Sequence, residues 1–128
     1  MSGAEGEARI LVVDDERAIR DWAASVLERG GYSVVAVASG SEALRILSAG
    51  AGDINLVLTD IRMPEIDGIE LARRVRTLHP KTKVIYMTGF SPDLLDPGST
   101  VLHKPFTSRT LIDEVARVLA GRTKSIMG

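Results

Sequence analysis

Cysteine is absent from this 128-residue chain. That excludes disulfides, thiolate metal sites and thiol catalysis, and it fits a reducing compartment. A charge imbalance is missing too: the formal net charge is −1. Nothing in the bulk charge therefore favours nucleic acid or an anionic membrane as a partner. No apolar stretch approaches the roughly 20 residues needed to span a bilayer. The first residues, Met1-Ser-Gly-Ala-Glu-Gly-Glu7, are small and acidic, unlike a signal peptide. Internal repeats and low-complexity blocks are also absent. The expectation is a cytoplasmic protein without membrane contact or nucleic-acid binding. The length suits one domain over residues 8–121, with a disordered tail over 1–7 and a C-terminal tail or linker stub over 122–128.

What is present alternates in period. Ala8–Val13 is a nearly continuous apolar run, as for a strand covered on both faces. Ile19, Trp22, Ala23, Val26 and Leu27 then fall on one helical face, which Gly30-Gly31 ends. Tyr32–Val37 reads as a second strand. Ser39 through Glu42 forms a capping box ahead of Ala43, Leu44 and Leu47. Ile54–Thr59 is a third strand. Asp67 can cap a helix carrying Leu71, Ala72, Val75 and Leu78, stopped by His79-Pro80. Val84–Met87 and Val101–His103 are further strands. Thr107 or Ser108 opens a last helix with Leu111, Ile112, Val115, Val118 and Leu119 as its stripe. Alternating strands and helices call for a parallel sheet covered on both faces.

In such a sheet, ligands bind beyond the carboxyl ends of the strands. Asp14, Asp15, Asp60, Thr88 and Lys104 all fall at those ends. Crowded carboxylates repel, and a bound cation is the usual remedy. Each residue has a plainer reading in isolation. Asp14 and Asp15 could cap a helix, Asp60 could be a loop acid, Thr88 a strand-end hydroxyl, and Lys104 a solvated lysine. Their joint placement at one edge is what argues for a site. His79 and His103 have no metal-ligand spacing, and Arg73, Arg74, Arg76, Lys81 and Lys83 read as a solvated basic face. Trp22 reads as core or as partner surface.

Asp14-Asp15, Asp60 with Met63-Pro64 and Asp67-Gly68, Thr88, and Lys104-Pro105-Phe106 together resemble the receiver domain of two-component response regulators. The likeness runs from about Ala8 to Gly121. It implies an α/β fold with a five-stranded parallel sheet, doubly wound and flavodoxin-like in the order 2-1-3-4-5. It implies that Asp60 takes a phosphoryl group from a histidine kinase or a histidine phosphotransfer protein. Mg²⁺ would be held by Asp15, Asp60 and the backbone carbonyl of Arg62, with Asp14 acting through water. Lys104 and Thr88 would meet the phosphoryl oxygens. It also implies a cis Lys104–Pro105 bond, a docking role for the first helix near Trp22, and output through protein contact.

Three positions depart from that pattern. Thr88 and Lys104 stand only 16 positions apart, and Pro92, Pro97 and Gly98 leave room for about one helical turn between them. The fourth helix of the family is therefore expected to be shortened or replaced by a loop, as in receivers attached to hybrid histidine kinases. Val101 stands where receivers often carry an aromatic switch residue, and Arg62 places a long side chain beside the site. Alternatives are a degenerate receiver that binds partners without phosphorylation, a phosphoryl sink, and a small-molecule phosphatase. Arg62 stands where such a phosphatase needs an acid. A nucleotide-binding domain is disfavoured because Asp14-Asp15-Glu16 is not a glycine-rich phosphate cradle.

Overall fold

The computed structural model describes residues 7–50, 53–89, 95 and 99–121. Five strands form one parallel sheet: β1 Arg9–Val13, β2 Ser33–Val37, β3 Leu56–Asp60, β4 Lys83–Thr88 and β5 Thr100–His103. Their order is β2-β1-β3-β4-β5, as the resemblance implies. The described residues hold four helices: α1 Arg17–Arg29, α2 Gly40–Ser48, α3 Gly68–Leu78 and α4 Ser108–Leu119. The segment expected to have lost a helix falls on residues 90–94 and 96–98, outside those described.

Side-chain alternation along the strands divides the core. Ile10, Val12, Leu56, Leu58, Ile85, Met87 and Leu102 point to one face and pack with Ala23, Val26 and Leu27 of α1 and Leu111 and Val115 of α4. Leu11, Val13 and Val57 point to the other, against Ala43 and Leu47 of α2 and Leu71 and Val75 of α3. That explains why Ile10 through Val13 reads as an unbroken apolar run: each of the four is fully buried, two per face. A smaller group, Ile61, Ala72 and Tyr86 with Ile69, Val84, Leu95 and Val101, lies beside α3, β4 and β5.

The expected caps form. Ser39 accepts from the Glu42 N–H at 3.1 Å, Asp67 from the Glu70 N–H at 2.8 Å, and Thr107 from the Thr110 N–H at 3.0 Å. Each satisfies a donor that the helix start would leave orphaned. Glu42 reaches back to the Ala38 N–H at 3.1 Å, one residue before the cap. Gly31, at φ +97, turns the chain after α1, a conformation that costs a residue with a Cβ. His79 ends α3, and its Nε2 lies 2.8 Å from the Leu47 carbonyl, tying α3 to the end of α2. Trp22 is half-buried against the α1–α4 core, its ring centroid 5.6 Å from that of Phe106.

Candidate functional site

The sheet order fixes the site. β1 and β3 are parallel neighbours at its centre, so their carboxyl ends emerge side by side. Asp60 is the last residue of β3, and Asp14 and Asp15 follow β1 directly. One carboxylate oxygen from each of the three lies within 4.8 Å of the other two. Asp14 is fully buried, Asp60 is 8% exposed, and Asp15 is open to solvent. On the other side of β3, β4 ends in the fully buried Thr88. The Thr88 carbonyl accepts from the Lys104 N–H at 2.7 Å, which carries the β4–β5 ladder past His103. Lys104–Pro105 is cis, as the resemblance implies. The lysine turns inward, its Nζ 3.5 Å from Asp14 Oδ2, 3.6 Å from Asp60 Oδ1 and 3.7 Å from Glu16 Oε1.

Two buried carboxylates this close oppose each other's ionisation. Burial pushes the Asp60 carboxyl above its ordinary range, and the neighbouring Asp14 charge adds to this while Lys104 works against it. Burial likewise raises Asp14, opposed by the Glu16 N–H bonded to its Oδ1 at 2.8 Å and by Lys104. The arrangement has the properties of a cation site. It offers hard oxygen donors, too few to enclose an ion without retained water, which suits Mg²⁺ chemistry.

Other residues hold the acids in place. Thr59 Oγ1 donates to the Asp60 carbonyl at 2.9 Å, and Arg20 Nη1 to the Asp14 carbonyl at 2.9 Å. Arg62 lies on the loop leaving β3, two residues beyond Asp60, and is exposed. Glu16 and Arg20 join the site without belonging to the residues that the sequence pattern singles out. The acidic triplet Asp14-Asp15-Glu16 was a visible signal for the first; nothing local marks the second, whose contact depends on the turn into α1.

The loop from β3 to α3 contains one strained residue. Glu65 sits at φ +67, the left-handed region that a side chain with a Cβ occupies at a cost. Glu65→Gly should therefore raise stability by about 0.5–1 kcal/mol. Chemical denaturation checks this; an unchanged or lowered midpoint would show the left-handed turn to be unstrained.

The description "response regulator receiver domain" applies to a family profile that matches residues 10–116. The response regulator receiver protein CpdR of Brucella abortus is 39% identical over 117 residues, covering 87% of this chain and 96% of that protein. Sensor kinase CckA of the same organism is 37% identical over 120 residues; the match covers 89% of this chain but 13% of that protein. The crystal structure of a response regulator receiver protein from Sinorhizobium medicae superposes with a TM-score of 0.83 at 36% identity, covering 91% and 97% of the two chains. Together with the acids, threonine and lysine gathered at one sheet edge, these matches establish that the chain belongs to the response regulator receiver domain family of two-component systems.

Proposed function

We propose that Asp60 accepts a phosphoryl group from a phosphohistidine of a histidine kinase or histidine phosphotransfer protein. The observation that carries this reading is the buried Asp60 carboxylate, clustered with Asp14 and Asp15 and 3.6 Å from Lys104 Nζ. An Asp60 oxygen attacks phosphorus, the P–N bond breaks, and the histidine nitrogen leaves with the bonding pair. Little covalent help is needed beyond positioning and charge compensation. Asp14, Asp15, Asp60 and the Arg62 carbonyl would hold Mg²⁺, which supplies charge neutralisation for the transferring group. Lys104 gives a point positive charge to one phosphoryl oxygen. Thr88 gives a hydroxyl to another from the end of β4.

The new charge, about −1.5 to −2, then changes which partner surface the domain favours. Output follows by protein contact, from a cytoplasmic domain spanning about residues 8–121. No described helix is long and apolar enough to cross a membrane. Among the curated relatives, the names response regulator and sensor kinase support this class of partner.

Incubation with phosphoramidate and Mg²⁺, followed by intact mass measurement, tests the reading. One added phosphoryl group is expected, dependent on the metal. A mass unchanged with this donor and with phosphorylated histidine kinases would overturn it.

A further inference from the structure

Three of the four helices among the described residues begin with a side chain bonded to their own backbone; α1 does not. Ser39, Asp67 and Thr107 each cap their helix, whereas Glu16 at the start of α1 makes no such bond. Its carboxylate instead stands 3.7 Å from Lys104 Nζ. Glutamate is a poor choice for that position if capping were its purpose, since Ser, Thr, Asp and Asn are preferred there. We infer that Glu16 is a positioning residue that competes with the incoming phosphoryl group for Lys104 and so limits how fast Asp60 is phosphorylated. The inference rests on the proposed phosphoryl-accepting role of Asp60.

Charge neutralisation explains why Glu16 matters more than its distance suggests. Three carboxylates face one ammonium: Asp14, Asp60 and Glu16. Asp14 and Asp60 belong to the cluster suited to a cation, so a bound ion offsets their pull on the lysine. Glu16 lies outside that cluster, and its side chain is 67% exposed. It would remain the lysine's uncompensated partner when a phosphoryl donor arrives. An exposed pair of this kind is a weak restraint, which suits a device that tunes a rate without blocking it.

Two variants separate charge from helix capping. Glu16→Gln removes the charge and adds no cap, while Glu16→Ser removes the charge and supplies one. At saturating Mg²⁺, both should accept phosphate from phosphoramidate about two- to fivefold faster than the unmodified chain. Only the serine variant should melt higher, by roughly 3–6 °C. With Mg²⁺ present and no phosphoryl donor, both should also show faster acylation of Lys104 by an amine-reactive ester, read by peptide mass spectrometry. Unchanged phosphorylation and labelling in both variants would overturn the inference. So would rates that follow the melting temperatures, with serine and glutamine moving apart, because that result assigns Glu16 to the start of the helix alone. If the unmodified chain takes no phosphoryl group at all, the proposed function fails, while the labelling still reports the Glu16–Lys104 pair.

Discussion

Asp60→Asn should abolish phosphorylation and, without metal, make the protein more stable. The first effect follows because a carboxamide does not act as a nucleophile toward phosphorus under these conditions. The second follows from the electrostatics of the site. The Asp60 carboxyl is raised above its ordinary value of 3.8, first by burial and then by the charge on Asp14. A carboxyl raised by folding contributes stability below its unfolded value, and that contribution is lost as pH rises through the folded value. At neutral pH the metal-free protein therefore holds a buried charge it would be more stable without. Asparagine removes that charge while keeping size and hydrogen-bonding capacity. The expected gain is about 1–2 kcal/mol, or roughly 3–6 °C in melting temperature, at pH 7.5 in a chelator. The gain should shrink toward pH 4 and should also shrink when Mg²⁺ is added. Thermal melts across that pH range check it. A variant no more stable than its parent at pH 7.5 would mean that Lys104, 3.6 Å away, already compensates Asp60 fully.

This opposition between stability and function also explains why the site was so legible. Residues that would weaken an ordinary fold stand out against the apolar strands that carry them. Leu56 through Thr59 are fully buried, and the next residue is an acid. Period-two and period-3.6 patterns gave the strands, helices and layers because both faces of β1 and β3 are covered. The bounds shifted where backbone bonding outruns hydrophobicity. Ile54 is buried but precedes β3, and β4 extends to the polar residues Lys83 and Thr88 at its ends.

Less legible were contacts created by the turn geometry itself. Arg20 reaches the Asp14 carbonyl only because α1 starts where it does. Val101 lacks the aromatic ring that receivers often carry at this position. The structure adds that its register partner on β4 is Tyr86, 3% exposed, with Arg76 Nη2 donating to its hydroxyl at 3.4 Å. Aromatic bulk on that face of the sheet is therefore supplied by β4, a pairing that no local pattern around Val101 could signal.

Gly68 shows the same limit most sharply, because the sequence marks Asp67-Gly68 as a motif without saying why the second residue must be glycine. It opens α3, and its N–H donates to the Ile61 carbonyl at 2.8 Å. A Cβ there would lie 2.2 Å from the Asp60 carbonyl oxygen, 2.9 Å from Ile61 Cα and 3.0 Å from the Asp60 carbonyl carbon. All three are backbone atoms, so no rotamer change can relieve the contact. Either the first turn of α3 retreats from β3, or the Asp60 peptide moves and takes the carboxylate with it. Gly68→Ala should therefore cost about 3 kcal/mol, combining overpacking with a weakened Gly68–Ile61 bond. The melting temperature should fall by roughly 10 °C or more. Phosphorylation of the variant that remains folded should slow about a hundredfold, since a shift of about 1 Å in a reacting group has that consequence. Gly89→Ala is the matched control for stability: a Cβ at Gly89 meets nothing within 4 Å among the described residues, and its change should stay within about 0.5 kcal/mol. Denaturant midpoints and phosphorylation rates of the two variants, measured side by side, decide the matter. Equal stability and equal rates would mean that α3 can slide away from β3 without disturbing Asp60, and that the close approach at Gly68 does not set the position of the phosphoryl-accepting carboxylate.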